Sequence, residues 1–247
     1  MVLTRNQFEK SGAWLFQHRS FLGLAGFPLL IAGLKSFSYI HHSHQITEEW
    51  QLLCFFVSLS GLALRIFTIG FVPKRTSGRN THRQVAETLN TTGIYSLVRN
   101  PLYLGNYLIM LGFAMFFHLL WLVIIASFIC ALGYHAIVCA EEAFLRKSFG
   151  KQFDDWSSRT PAFIPRLSGW VPPKLHFCWR TVCRREYTAF FLITAGFFFL
   201  DVAADSITEG TVRVRGEWTI IFVVGALTYL TLRTLKKKTR LLRVQGR

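Results

Sequence analysis

The chain has 247 residues, 51% of them hydrophobic, and a formal net charge of +15. Its mean hydropathy of +0.34 and its separate apolar stretches exclude a single soluble core and indicate a membrane protein with several spans. The basic residues lie in short segments between apolar stretches rather than along one amphipathic face. We therefore attribute the charge to membrane topology and expect no nucleic-acid partner.

The apolar stretches predict the membrane spans, because crossing a hydrocarbon core of about 30 Å takes about 20 helical residues. Six stretches meet or approach this length: residues 20–36, 50–72, 102–117, 119–140, 187–204 and 217–234. The third and fourth are nearly continuous and predict a tight helical hairpin (102–140) with His118 at its turn. We expect an all-α transmembrane bundle of about six spans.

The distribution of Lys and Arg predicts the orientation by the positive-inside rule. If both termini are cytoplasmic, 24 of the 28 basic residues face the cytoplasm, Arg65 lies within a span, and only Lys35, Arg213 and Arg215 lie outside. We expect an integral multi-pass membrane protein whose site faces the cytoplasm.

Two polar clusters lie beside apolar spans on the predicted cytoplasmic side. Residues 91–107 place Gly, Arg, Asn, Pro and three Tyr residues at the entrance to the third span. Residues 141–161 follow the fourth span and begin with two glutamates. Polar groups at membrane depth are costly unless they serve a ligand or a partner. The two clusters therefore predict a divided site.

An ordered series of residues within these clusters carries a family resemblance. The series comprises Gly93, Tyr95, Arg99, Asn100, Pro101, Tyr103, Gly105 and Asn106, then Glu141, Glu142, Leu145, Phe149, Gly150, Arg159, Pro161 and Pro165. It resembles the isoprenylcysteine carboxyl methyltransferase family and the wider group of membrane phospholipid methyltransferases. The resemblance implies a methyltransferase core at residues 58–167, N-terminal spans at 1–57, and a linker, two spans and a basic tail at 168–247.

The residue types fit S-adenosylmethionine, the cofactor that the resemblance implies. Aromatic faces can hold its sulfonium, carboxylates its amino group, and Arg or amide groups its carboxylate. Glycines permit close approach of the backbone, and a proline suits the first helical turn. The expected cofactor-binding residues are Gly93, Tyr95, Arg99, Asn100, Pro101, Tyr103, Gly105, Asn106, Glu141, Glu142 and Leu145.

One position departs from the family pattern. Eukaryotic members carry Arg-His-Pro where this chain has Arg99-Asn100-Pro101. An asparagine amide donates and accepts hydrogen bonds, but it takes up no proton near neutral pH. We therefore still expect this segment to bind the cofactor. We do not expect residue 100 to transfer a proton.

The two adjacent glutamates have different expected roles. On a helix their side chains point about 100° apart. We expect Glu142 to face the cavity, because it shares a stripe with His135, whereas Glu141 shares one with Leu145. The alternative is that both carboxylates are solvated at the helix end and pair with Arg146 and Lys147.

The catalytic candidates are Glu142, Arg99, Arg65 and His135. A phosphate or carboxylate acceptor would need orientation by Arg99, Arg65 or Arg159 and no general base. An amine or hydroxyl acceptor would need deprotonation by Glu142 or His135. Arg65 has two interpretations, since it either binds the acceptor or snorkels to the interface.

The acceptor is the least determined part of the hypothesis. We favour a lipid phosphate or headgroup that enters from the bilayer, and isoprenylcysteine remains an alternative. A nicotinamide-dependent membrane reductase of similar core and a non-enzymatic transporter are rivals from other classes. His41, His42 and His44 lie in a predicted external loop, where they indicate a wet interface, so we expect no metal site.

Overall fold

The computed structural model describes residues 14, 15, 17, 26–73, 76 and 86–246. Within these residues the chain forms seven α-helices and no strands, which confirms the all-α expectation for the described part. The helices are α1 (Phe27–Lys35), α2 (His44–Phe71), α3 (Pro101–Met115), α4 (Leu120–Phe149), α5 (Lys151–Ser157), α6 (Trp179–Glu209) and α7 (Gly216–Lys238). Short 3-10 turns occur at Ile40–His42 and Gly93–Ser96.

Four of these helices, α2, α4, α6 and α7, are long and apolar enough to cross a membrane. Of the about six spans expected, four correspond to candidate membrane-spanning helices in the described residues. Helix α3 has 15 residues, or about 22 Å at 1.5 Å per residue, which is short of the hydrocarbon thickness. The predicted first span begins in residues 20–25, which lie outside the described residues, and its remainder contains α1.

The predicted hairpin is present as α3 and α4, and His118 lies at its turn with a left-handed backbone (φ 46°). The preceding residues, Phe116 and Phe117, are completely buried. Phe116 packs edge-to-face on Phe197 of α6, with 5.9 Å between ring centroids. The hairpin is therefore anchored in the core of the bundle rather than projecting from it.

Helices α2 and α3 approach closely because glycines form their contact. A Cβ atom on Gly61 would lie 2.8 Å from the backbone nitrogen of Ile109 and would also clash with the carbonyl oxygen of Gly105. Ser58 donates a hydrogen bond of 2.9 Å to the carbonyl oxygen of Ile109 across the same contact. Small residues and interhelical hydrogen bonds are the usual means of packing helices where the surroundings are apolar.

The bundle has two chemically different ends. At one, called the far end, Arg215 pairs with Asp205 at 2.9 Å and with Glu48 at 3.1 Å. At the other, called the site end, the Cys178 amide donates to the carbonyl oxygen of Gly70 at 2.9 Å and joins the start of α6 to the end of α2. Both predicted polar clusters lie at the site end. The orientation of these ends in a membrane stays a prediction.

Substitution of Gly61 tests the close contact between α2 and α3. We expect Gly61→Ala to destabilise the protein by about 1–3 kcal/mol, because the new methyl group meets backbone atoms that cannot move independently. Thermal unfolding in detergent measures the effect. Gly216→Ala is the matched control, because a Cβ atom there meets nothing within 4 Å. Equal melting temperatures of the two variants would contradict the proposed packing.

Candidate functional site

Backbone hydrogen bonds join the two predicted clusters. The Gly93 amide donates to the carbonyl oxygen of Val171 at 2.8 Å, and the Arg99 amide donates to that of Pro161 at 2.9 Å. Gly93 has φ 63°, a left-handed conformation that glycine adopts without steric cost. The loop before α3 is therefore held against the loop after α5, and the two halves of the predicted site form one structure.

The Arg99 side chain lies between these loops and α4. Its Nε donates to Oε1 of Glu142 at 2.8 Å. Its Nη1 donates to the carbonyl oxygens of Ser157 at 2.7 Å and Thr160 at 2.8 Å. These bonds use three of the five guanidinium N–H groups, so within the described part of the chain the two on Nη2 are left for a ligand.

Asn100, which stands where eukaryotic family members carry a histidine, has a structural contact. Its Nδ2 donates to the carbonyl oxygen of Ala162 at 3.1 Å, so the amide holds the loop that follows α5. A second bond supports the same arrangement, since Trp156 Nε1 donates to the carbonyl oxygen of Tyr95 at 3.0 Å. Pro101 is the first residue of α3, as its fixed φ favours.

A groove of about 510 Å³ lies beside Arg99. Its lining consists of Arg99, Ser157, Ser158, Arg159, Thr160, Pro161, Ile164, Pro165 and Arg166. Three of these residues carry guanidinium groups and none carries a carboxylate. The groove therefore favours an anionic group, while Pro161, Ile164 and Pro165 add an apolar wall.

A second polar layer lies deeper in the bundle and centres on Arg65. Its Nε and Nη2 donate to the two carboxylate oxygens of Glu186 at 2.7 and 2.9 Å, and its Nη1 donates to Oδ1 of Asn106. Glu186 has a side chain only 4% exposed. A bidentate pair of this kind fixes the orientation of both side chains. The contact with Glu186 is a role for Arg65 that neither interpretation of the sequence included.

Aromatic residues extend this inner layer. The rings of Tyr103 on α3 and Tyr134 on α4 lie 5.1 Å apart with an interplanar angle of 40°. Tyr134 also shares a hydrogen bond with the Asn106 side chain. Gly105 leaves room for Arg65, because a Cβ atom there would lie 2.6 Å from its Cγ. The absence of a side chain at Gly105 therefore makes space for the Arg65 side chain.

The structure also brings Tyr95, Glu141 and Arg185 together. Burial raises the pKa of the Tyr95 phenol, the Glu141 carboxylate raises it further, and the Arg185 guanidinium lowers it. The phenol is protonated near neutral pH even at its ordinary pKa, so Tyr95 can donate a hydrogen bond. Glu141 and Glu142 thus have different partners, as adjacent positions on a helix require.

Other predicted residues lie further from these contacts. His135 lies two turns before Glu142 on α4, and its Nε2 is 3.6 Å from Sγ of Cys139. Leu145 is half-buried on the same helix. Arg146 pairs with Asp154 at 2.8 Å. The predicted alternative in which Glu142 pairs with Arg146 is therefore not the arrangement observed.

Sequence reasoning missed Glu186 and Arg185, which come from α6. Both follow Arg184 at the start of an apolar stretch, where a charged run is typical of a membrane border. The sequence signal for this role is Glu186 itself, a single glutamate that follows arginines at the start of a predicted span. Its partner, Arg65, lies 121 positions earlier in the chain.

In the part of the chain that the structure describes, fold and site together define an all-helical protein with four candidate membrane spans and a composite polar site at one end of the bundle. Residues 73–152 match the sequence model of the phospholipid methyltransferase family, which confirms the resemblance predicted from the motifs.

Two curated proteins share sequence with this chain. The nickel-cobalt-cadmium resistance protein NccN of Alcaligenes xylosoxydans xylosoxydans is 41% identical over 80 residues, which cover 32% of this chain and 37% of NccN. The cobalt-zinc-cadmium resistance protein CzcN of Cupriavidus metallidurans is 36% identical over 114 residues, 45% of this chain and 50% of CzcN. The chain thus matches half or less of the length of these relatives. No solved structure shows a significant match.

Substitutions of Arg65 and Glu186 test the buried ion pair. We expect Glu186→Gln to destabilise the protein by about 3–5 kcal/mol, because it leaves a buried guanidinium without its counter-charge. The double variant Arg65→Met/Glu186→Leu should recover most of this loss, since it removes both charges. Thermal or denaturant unfolding measures the stability of each variant in this double-mutant cycle.

The control for this cycle is Arg213→Gln, because Arg213 is exposed and lies 3.8 Å from Glu209. An exposed pair of this kind contributes at most about 1 kcal/mol. A double variant that is less stable than Glu186→Gln would contradict the interpretation that the unpaired guanidinium causes the loss.

Proposed function

We propose that this protein is an S-adenosylmethionine-dependent methyltransferase that acts on a membrane-embedded amphiphile, with a lipid phosphate or headgroup as the favoured acceptor. The observation that supports the proposal most directly is the Arg99–Glu142 pair. It joins the loop before α3 to helix α4 beside an arginine-lined groove, and both of its residues belong to the segment that matches the family.

The residues at the site end fit the chemistry of the cofactor. The two Nη2 N–H groups of Arg99 can hold a carboxylate, and the carboxylate of Glu141 can hold an amino group. The rings of Tyr103 and Tyr134 offer faces for a sulfonium. When bound, the cofactor supplies an electrophilic methyl group. The chain's own contribution is to orient the reactants and to exclude water.

The groove favours an anionic acceptor. Arg159 and Arg166 line it together with Arg99, so they can orient a phosphate or carboxylate near the site. Such an acceptor is already nucleophilic and needs no general base. An amine acceptor would need one, and Glu142 and His135 are the candidates.

The alternative functions differ in the ligand that each would bind. An isoprenylcysteine acceptor also presents a carboxylate to the arginines and differs in its prenyl chain and cysteine. A nicotinamide-dependent reductase would bind the dinucleotide and not S-adenosylmethionine. A transporter would bind neither.

The names of the two relatives indicate a physiological setting. They are named for resistance to nickel, cobalt, zinc and cadmium. We propose that methylation by this protein contributes to tolerance of such ions. The growth of cells in the presence of these ions tests this contribution separately from the chemistry. The comparison is between cells with the parent protein and cells with a variant that cannot bind the cofactor.

Cofactor affinity in the Glu142→Gln variant tests the site. The change preserves size and removes the charge that holds Arg99, so we expect weaker binding of S-adenosylmethionine by about 1–3 kcal/mol, the range for a charge-assisted hydrogen bond. Arg99→Lys should weaken binding similarly, because lysine lacks the planar fork. Calorimetry on protein of unchanged thermal stability measures both.

Asp154→Asn is the matched control for Glu142→Gln. It makes the same change of charge at a carboxylate that is 55% exposed and bound to Arg146, and we expect it to leave the affinity unchanged. Equal affinities in all variants and the parent would refute the site. Binding of a nicotinamide dinucleotide with none of S-adenosylmethionine would favour the reductase.

The acceptor is tested in membranes that contain the parent protein or Glu142→Gln. We expect a methyl increment on a lipid headgroup, seen by mass spectrometry of extracted lipids, only with the parent, because Glu142→Gln impairs the cofactor site. A methyl increment that is found only on prenylated protein would support the isoprenylcysteine alternative. Its absence from both fractions would contradict the proposed reaction.

A further inference from the structure

The start of α6 and the end of α7 form one surface at the site end. The Lys236 ammonium lies 5.0 Å from the centre of the Tyr187 ring. The rings of Tyr187 and Tyr229 lie 5.4 Å apart. The start of α6 is therefore beside the end of α7, and we call residues 177–187 and 229–243 together the α6–α7 basic surface.

This surface carries a large uncompensated positive charge. Its cationic residues are Arg180, Arg184, Arg233, Lys236, Lys237, Lys238, Arg240 and Arg243; Arg185 of the same stretch interacts with Tyr95 instead. Glu186 is the one carboxylate in the two segments, and both of its oxygens are bound by Arg65. Like charges at close range repel, so an external anion would relieve the repulsion between the packed helix ends.

The Arg233 side chain has a fixed position on this surface. Its Nη1 donates to the Tyr229 hydroxyl, and its guanidinium carbon lies 5.4 Å from the centre of the same ring. Lys236 is held over Tyr187 in a comparable way. Two of the cations are thus positioned by aromatic rings before any anion binds, which lowers the entropic cost of binding.

An apolar surface adjoins these cations. Helix α7 is one of the candidate spans, and five of its apolar side chains before Arg233 are at least 45% exposed: Ile220, Val223, Val224, Leu227 and Leu230. Trp179 at the start of α6 is 67% exposed. Exposed aromatic residues beside basic ones at the end of a span are typical of the level of lipid headgroups.

We propose that the α6–α7 basic surface is a binding site for an anionic phospholipid. The lipid phosphate lies among Arg184, Arg233 and Lys236, and the acyl chains follow the exposed apolar face of α7. The combination of a dense cationic patch and an adjoining apolar face selects a lipid over a free phosphate, because only the lipid satisfies both. This lipid is bound and not methylated, so the inference is independent of the proposed reaction.

Native mass spectrometry of the full-length protein, titrated in detergent with phosphatidylglycerol or phosphatidylcholine, tests the site. We expect phosphatidylglycerol to bind about tenfold more tightly, since each Lys or Arg near an anionic headgroup contributes to the attraction. The variant Arg184→Gln/Lys236→Gln should lose about that preference. High salt should weaken the binding of phosphatidylglycerol selectively.

The matched control is Lys35→Gln/Arg213→Gln, which removes two cations near the far end. It should retain the preference for phosphatidylglycerol. Lys237→Gln/Lys238→Gln, at exposed positions, serves as a second test variant if the first is less stable on heating. Equal binding of the two lipids, or an equal loss in the control, would overturn the proposal. Displacement of the lipid by glycerol phosphate at equal concentration would also overturn it, because the acyl chains would then contribute nothing.

Discussion

The guanidinium of Arg99 connects the parts of the molecule on which the candidate site depends. It binds a carboxylate on α4 and two carbonyl oxygens near the end of α5, while its own backbone belongs to the loop before α3. A partly buried guanidinium is costly unless its donors are satisfied, so these partners constrain one another. The groove exists because the loop after α5 is held at this distance from the loop before α3.

A second ion pair extends this unit beyond the segment that matches the family. Arg65 and Asn106 lie on α2 and α3, and their partner Glu186 lies on α6, after the matched residues end at 152. The close contact of α2 with α3 at Gly61 and Gly105 places Arg65 where it meets both partners. Helix α6 is therefore a structural neighbour of the candidate site, and the predicted boundary at residue 167 does not separate it in space.

The two ends of the bundle differ in the way their charges are balanced. At the far end one arginine, Arg215, is surrounded by Glu48, Asp201 and Asp205. At the site end the cations outnumber the carboxylates, and the excess lies on the groove and on the α6–α7 basic surface. Anionic groups from outside the chain can therefore balance the excess positive charge at the site end. At the far end the charge of Arg215 is already balanced by carboxylates of the chain. The excess at the site end consists of the same Lys and Arg residues whose distribution predicts a cytoplasmic location for this end.

The sequence by itself determined the features that depend on neighbouring residues: the long apolar helices, the hairpin turn at His118, the start of α3 at Pro101 and the ordered motifs. Tertiary structure decided the contacts between distant residues, such as Arg99 with Glu142 across 43 positions and Arg65 with Glu186 across 121. It also decided that α3 ends after 15 residues, because Phe116 and Phe117 turn into the core. Hydropathy and spacing report the local preferences of a segment, whereas the partner of a buried charge is selected by whichever helix packs beside it.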